Sequence, residues 1–172
     1  MRKIYTHKFD TMLGMVHTAA TDKGLVICTL PGSSVGWFRK QLERLFGDCQ
    51  VTAPNDINRM AAAQITAYLN GELREFSVPL DIRGTPFRQK VLRQVARIPY
   101  GETRTYGEVA EAIGRPKAFR AVGGANKHNH LPMIIPCHRV VAARGIGGYA
   151  GGLKMKQELL KLEGAIPPDT DR

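Results

Sequence analysis

Residues 105–127, from Thr105 to Lys127, read TYGEVAEAIGRPKAFRAVGGANK, and this stretch decides the fold of the second half of the chain. Thr105 followed three positions later by Glu108 has the spacing of a capping box, in which each side chain bonds the other residue's amide and starts a helix. Val109, Ala112 and Ile113 continue at helical spacing to Gly114. Arg115-Pro116-Lys117 is a short link, and a further helix is expected from about Ala118 to Lys127. Two short helices joined this tightly in a basic segment predict a helix-turn-helix. On a helical wheel Ala118, Phe119, Val122 and Ala125 share one arc, with Arg120, Gly123, Gly124 and Lys127 opposite. The outward face is small, flat and basic. It lacks the Asn, Gln or row of long side chains that reads base edges, so it suits close backbone approach to nucleic acid. The alternative is that Gly123 and Gly124 admit a second helix at short range. Each glycine costs roughly 1 kcal/mol of helix propensity relative to alanine, so one of the two reasons is required.

Charge supports the nucleic-acid reading. The 172 residues carry a formal net charge of +10. Ten basic and eight acidic side chains precede Gly84, and fifteen basic and seven acidic follow it, so an anionic partner is expected to dock on the second half. An apolar content of 43% is enough for a buried core and excludes a fibrous or disordered chain. No apolar run approaches the roughly 20 residues of a spanning helix. The opening Met1 to Asp10 lacks the apolar centre of a secretion signal, and the expectation is a cytoplasmic protein without membrane contact. Cys28, Cys49 and Cys137 are odd in number and form no CxxC pair, so neither a disulfide scaffold nor a zinc finger is indicated, and no metal site is expected. His128 and His130 flank Asn129 without nearby carboxylates and read as solvated loop imidazoles.

The first half has a different period. Residues 4–9, 15–19 and 25–30 read as strands, the last two joined across Thr21-Asp22-Lys23-Gly24 in a β-meander. Val35, Phe38, Leu42, Leu45 and Phe46 form the core face of a helix that stops at Gly47. A second helix is expected from an Asp56 cap through Ile57, Met60, Ala61, Ile65, Tyr68 and Leu69 to Gly71. Residues 76–82 read as an edge strand, because Pro79 cannot donate to a ladder. The period changes after Gly84, which sets domains at 1–83 and 84–172. Thr85 caps the next helix with Pro86 in its first turn, and Phe87, Val91, Leu92 and Val95 give it an apolar stripe until Pro99-Tyr100-Gly101 ends it. Pro167 to Arg172 reads as an unstructured tail.

The chemistry concentrates in Leu131-Pro132-Met133-Ile134-Ile135-Pro136-Cys137-His138-Arg139-Val140-Val141. A thiol becomes a strong nucleophile as its thiolate, which calls for a neighbouring base or cation, and here His138 follows at once. In a plain strand Cys137 and His138 would point to opposite faces, so cooperation between them needs a turn or a bridging water. Pro132 and Pro136 favour such a turn. On residue types alone, a small buried cysteine in an apolar segment is the competing reading.

These segments together resemble the O6-alkylguanine-DNA alkyltransferases, also called methylated-DNA-protein-cysteine methyltransferases. The likeness runs in order through Gly84-Thr85-Pro86-Phe87, Pro99-Tyr100-Gly101-Glu102, Arg120 to Ala125, Pro136 to Val140, Tyr149-Ala150-Gly151-Gly152 and Leu162-Glu163-Gly164. It covers about half the chain; the first half agrees in general plan. It implies an α+β protein, with an N-terminal ribonuclease-H-like α/β domain followed by a mainly helical helix-turn-helix domain that binds DNA and accepts the alkyl group. The implied activity is repair by irreversible, single-turnover transfer of a methyl or other alkyl group from O6-alkylguanine in DNA to Cys137, with O4-alkylthymine a further candidate. No cofactor is implied, since the lesion is the donor.

The resemblance also implies roles for single residues. His138 deprotonates Cys137 through a water, Glu163 orients His138, and Asn129 braces the turn. Tyr106 donates to the departing guanine, and Arg120 fills the gap in the duplex beside Ala121, Gly123, Gly124 and Lys127. Val140, Tyr149, Ala150 and Gly151 wall the pocket. Two departures stand out: His130 follows the hinge asparagine where the family often has proline, and Ala150 replaces a serine hydroxyl found in some members. The implied partner is double-stranded DNA, met through its minor groove and phosphates by a monomer. Physical chemistry supports several of these roles. Guaninate leaves readily only when its developing charge meets a donor. A carboxylate at a helix C-terminus, where Glu163 falls, is unfavourable by several tenths of a kcal/mol unless it is paired. The readings from other classes are a non-reacting DNA-binding module, against which Cys137 beside His138 speaks, and a cysteine hydrolase, for which no oxyanion site is visible.

Overall fold

The structure, a computed structural model, describes residues 1–168; Asp169 to Arg172 of the expected tail lie outside the described residues. It is α+β, and the chain divides into two compact units, Met1–Arg83 and one that begins at Gly84. None of the helices among the described residues is long and apolar enough to cross a membrane.

The first unit is a four-stranded sheet with two helices. Strands β1 (Lys3–Thr11), β2 (Gly14–Ala20) and β3 (Leu25–Cys28) form an antiparallel meander, and β4 (Gln50–Thr52) adds in parallel beside β1, giving the order β3-β2-β1-β4. Strand β4 is too short and polar to show in the sequence pattern. Helix α1 (Val35–Phe46) is capped by Ser34 and stops at Gly47, and its Phe38 and Leu42 pack with Ile4, Ala19, Val26 and Ile27 of the sheet. Val35, expected on the same face, is 44% exposed, because a first-turn residue lies past the sheet's reach.

Helix α2 (Asp56–Leu69) is capped by Asn55, one residue before the expected Asp56. Asn55 and Asn58 exchange side-chain-to-amide bonds of 3.1 Å, a reciprocal pair that outcompetes a carboxylate one position later. The Asn58 amide group also donates to the Tyr5 carbonyl (3.2 Å) and to the Thr18 hydroxyl (3.1 Å), pinning α2 to two strands. Met60, expected in the core, is largely exposed.

Residues 76–82 do not form the expected strand. The Ser77 and Val78 amides bond the Gln64 side chain instead of a ladder, and Pro79 has none to give. A single parallel bridge remains, in which the Leu25 amide donates to the Pro79 carbonyl and the Asp81 amide to the Leu25 carbonyl, both at 2.8 Å. Gly24 makes this approach possible, since a Cβ there would lie 2.5 Å from the Leu80 carbonyl carbon.

The second unit is helical around one small sheet. Helix α3 (Pro86–Val95) starts at the Thr85 cap. Strand β5 (Arg104–Thr105) leads into α4 (Tyr106–Ala112), where Thr105 and Glu108 form the capping box at 3.1 and 2.8 Å. Helix α5 (Phe119–Lys127) packs on α3 and α4, burying Val122 and Ala125. Phe119 departs from the wheel: it is 48% exposed, because the first residue of α5 lies past the end of the buried stripe. A 3-10 turn spans Cys137–Arg139, strand β6 (Val140–Val141) follows, and α6 (Leu153–Leu162) ends the ordered core. The parallel pair of β5 and β6 matters most for function, since it lays Val141 beside Thr105 and so brings the cysteine turn next to the start of α4.

Replacing Asn58 with alanine leaves buried groups on two strands without a donor and removes half of a capping box. The expected loss is about 2–3 kcal/mol of stability in the first unit. Urea unfolding followed by the fluorescence of Trp37, the single tryptophan, measures it; a change below about 0.5 kcal/mol would show that Asn58 does not anchor the helix.

Candidate active site

The site is built on a loop closed by one side chain. The Asn129 carboxamide oxygen accepts from the Leu131 amide (2.9 Å), while its nitrogen donates to the Ile135 carbonyl (2.9 Å) and to the Cys137 sulfur (3.2 Å). Inside this loop Met133 takes a left-handed φ of 71° with its side chain fully buried. Such a conformation is unfavourable by roughly 1–3 kcal/mol, which Asn129 and the surrounding core hold in place. The expected brace is present with His130 at the position after it.

From that loop the chain enters a 3-10 turn and not a plain strand. Cys137 opens toward a pocket of about 240 Å³ lined by Tyr106, Gly123, Asn126, Lys127, Gly148, Tyr149 and Ala150. His138 turns into the protein, where its Nε2 lies 2.7 Å from Glu163 Oε1. Arg139 donates Nε to Glu163 Oε2 (2.9 Å), Nη2 to Oε1 (2.8 Å) and Nη1 to the Ile98 carbonyl (2.6 Å). The Glu163 carboxylate is thus buried and bonded by two side chains, and it is not a solvated helix-end carboxylate.

Electrostatics set the resting protonation. Burial pushes the Cys137 thiol above its ordinary value, against the hydrogen bonds of Asn129 and Tyr149 and the charge of Lys156, which pull it down. Burial likewise lowers His138 below 6.5, overriding the Glu163 carboxylate, so the imidazole rests neutral. Tyr106, raised by burial and by Cys137, keeps its proton. Its hydroxyl lies 3.5 Å from the Gly148 carbonyl, the outer limit of a hydrogen bond, so it keeps donor capacity for the pocket.

Of the residues expected here, Tyr106, Gly123, Lys127, Cys137, Tyr149 and Ala150 line the pocket, and Asn129, His138 and Glu163 stand behind the thiol. Val140 and Gly151 do not line it: Val140 is buried in β6, with its carbonyl turned to Lys156, and Gly151 is exposed beyond the pocket rim. Arg120, Ala121 and Gly124 are exposed on the outer side of α5. Gly123 is half-buried and a Cβ there would make ordinary contact with the Tyr106 ring at 3.8 Å, while one at Gly124 would meet nothing. Tight helix packing therefore requires neither glycine.

Lys156, Arg139, Asn126 and Gly148 were not among the expected site residues. Lys156 is fully buried, donates to the Val140 (2.7 Å) and Gly148 (3.0 Å) carbonyls, and is drawn down to about 8 by desolvation, with Cys137 opposing. A signal existed. Lys156 stands three and four positions before the buried Leu159 and Leu160 and seven before Glu163, on the inward stripe of α6, where a solvated lysine has no place.

Comparison with known proteins agrees with this geometry. Residues 86–165 match the family model described as 6-O-methylguanine DNA methyltransferase, DNA binding domain. A methylated-DNA–protein-cysteine methyltransferase of Methanosarcina acetivorans is 55% identical over 169 residues, covering 94% of this chain and 99% of that protein. One from Mycobacterium tuberculosis is 44% identical over 158 residues, covering 90% and 96%. The crystal structure of the Mycobacterium tuberculosis O6-methylguanine methyltransferase superposes with a TM-score of 0.79 at 38% identity, covering 97% and 96% of the two chains. The same organism's OGT in complex with DNA gives 0.79 at 39% identity, covering 94% and 93%. With relatives this similar along nearly its whole length, the chain belongs to the methylated-DNA–protein-cysteine methyltransferases, the O6-alkylguanine-DNA alkyltransferase family.

Proposed function

We propose that this protein repairs O6-alkylguanine in DNA by moving the alkyl group, once and irreversibly, onto Cys137. The observation that carries the reading is a buried cysteine that faces a base-sized pocket while a histidine–carboxylate pair stands behind its turn. Because the Cys137 thiol is raised and His138 is neutral, the proton must leave as the reaction proceeds. His138 is the base for it, through Nδ1 and one water, since Nε2 is engaged with Glu163. The sulfur electron pair then forms a bond to the alkyl carbon as the carbon–O6 bond breaks, its electrons passing to the guanine. Tyr106, protonated and on the pocket wall, donates to the departing base. The proton taken up by His138 is returned through solvent to the guanine anion, so the product is a thioether and a neutral guanine, and no step of it needs a cofactor.

DNA is met by the outer face of α5, where Arg120, Ala121, Gly124 and Lys127 are exposed. Extruding the base costs a few kcal/mol, and Arg120 offsets part of it by filling the space left in the stack. Open backbone at Gly124 suits a minor-groove approach. The protein acts in this reading as a cytoplasmic monomer. A non-reacting DNA-binding module is disfavoured by the Cys137 setting, which has no use in binding alone.

Intact-mass measurement after incubation with a duplex bearing O6-methylguanine should show one methyl per chain, on the peptide that holds Cys137, and none in Cys137→Ala. Transfer to Cys28 or Cys49, or many turnovers per molecule, would overturn the mechanism. The rate should stay level as pH falls from neutrality and drop only below 6.5, the ordinary imidazole value, because His138 is held lower. Stability shares that window. Between the lowered value and 6.5 the unfolded chain takes up a proton that the folded chain refuses, so the melting temperature should fall as pH drops through it. Glu163→Gln leaves Arg139 as an uncompensated buried charge, and the expected cost is about 3–5 kcal/mol with a further drop in the His138 pKa; an unchanged urea midpoint would refute the role given to Glu163. Affinity for undamaged duplex should fall steeply with salt and vary little with sequence, as titrations across a salt series would show.

A further inference from the structure

Phe119 is the one residue of α5 that the amphipathic pattern sends to the core and the structure sends to the surface, where its ring is 48% exposed. A lone exposed apolar side chain needs no special cause; the surroundings of this one supply it. The Arg120 guanidinium lies 6.0 Å from the ring centroid, and Lys117 and Lys127 are exposed on the same short helix and its link. Between Glu111 and Glu158 the sequence contains no Asp or Glu, while Arg115, Lys117, Arg120, Lys127, Arg139, Arg144, Lys154 and Lys156 fall within that span. An apolar ring beside the exposed cations of its own helix and link matches a polyanion that also presents flat apolar faces.

We propose that Phe119 is a second DNA-contacting side chain beside Arg120, its ring packing against the base or sugar faces that a duplex exposes where a nucleotide has been drawn out of the stack. The inference rests on the proposed function. Two roles for the ring compete, and magnitude separates them. A cation–π contact at 6.0 Å between exposed groups is at the outer edge of the useful range, so ordering Arg120 changes affinity by no more than about twofold. Stacking on a base, or wedging an apolar side chain at an unstacked step, is worth about tenfold or more per contact. Direct contact with DNA is therefore the ring's main effect. It also complements Arg120: the guanidinium answers phosphate and the vacated hydrogen-bonding edges, and the ring answers the apolar faces that water would otherwise cover.

The test is equilibrium binding of the full chain carrying Cys137→Ser to a duplex with one O6-methylguanine, measured across a salt series. Adding Phe119→Ala should weaken binding about tenfold without changing the salt slope, since no phosphate ion pair is lost. Phe119→Trp should hold affinity within about twofold of the parent, whereas Phe119→Lys, which adds charge but no ring, should not recover it. Affinity unchanged by Phe119→Ala, or restored by lysine as well as by tryptophan, would overturn the proposal. Because the ring is exposed, melting temperatures should stay level across the series; if the alanine variant fails to fold, the tryptophan and lysine variants still decide. Cys137→Ser carries no acceptor chemistry, so this readout is separate from the reading of Cys137 as the acceptor. Failure of the wild-type chain to gain a methyl there would refute that reading and leave the Phe119 result standing.

Discussion

The second unit depends on one buried carboxylate. Glu163 closes α6, and a carboxylate at that end of a helix is repelled by the last carbonyls. It is stable there because His138 and Arg139, adjacent in the 3-10 turn, both bond it from the other side. The contact does two things at once. It fixes α6 against the cysteine turn, and it holds the imidazole by its Nε2. Arg139 carries the same constraint further, since its Nη1 ties the Ile98 carbonyl after α3 and its guanidinium lies over Tyr100. Buried ion pairs seldom add net stability over apolar packing. This one is better understood as specifying geometry, because it joins the end of α6 to the cysteine turn and, through Arg139, to the Ile98 carbonyl after α3.

Lys156 extends that logic at a cost. A fully buried ammonium loses its hydration, and its pKa near 8 shows how little the surroundings return. What it supplies is position and field. It holds the carbonyls of Val140 in β6 and of Gly148, which immediately precedes Tyr149, and its charge draws the Cys137 pKa down against desolvation. Asn129 does the same from the opposite side by donating to the sulfur. A thiol that is buried, yet within reach of two donors and a charge, rests protonated.

Local chemistry was legible in the sequence where one short rule decided it. The Thr105–Glu108 capping box, the Thr85-Pro86 start and the Gly47 stop each needed only neighbours within four positions. Two of the differences in the first unit share a cause: a partner outside the pattern outbids a local preference. Asn58, buried under two strands, moved the cap to Asn55, and Gln64 took the amides that residues 77 and 78 would have offered to a ladder. The β5–β6 pair is two residues a side and invisible to any periodicity, yet it seats Tyr106 near Cys137. In the site, the motif gave the cysteine, histidine, asparagine and carboxylate, because each falls in a recognisable segment. Val140 and Gly151 were drawn in by adjacency along the chain, whereas the pocket selects by direction. Lys156 falls outside the expected site because its charge suggests surface, although its place on the inward stripe of α6 says otherwise.

The ionisable side chains around the thiol and on α5 therefore fall into two sets that respond to different physics. Glu163, Arg139, His138 and Lys156 are buried, hydrogen-bonded to one another or to carbonyls, and their mutual fields pass through protein, where dissolved ions do not enter. Arg120, Lys117 and Lys127 stand in water, and at physiological salt their reach is about 8 Å. The proposed duplex contact must accordingly be made at short range, by side chains and open backbone that touch the nucleic acid, while the acceptor chemistry is insulated from the same salt. An apolar ring among the exposed cations fits that division, since its contribution grows with surface covered and does not fade with ionic strength. The fold keeps the two sets apart by giving α5 both faces. Val122 and Ala125 lock it to the core that carries the thiol, and its other side is left polar, glycine-lined and basic.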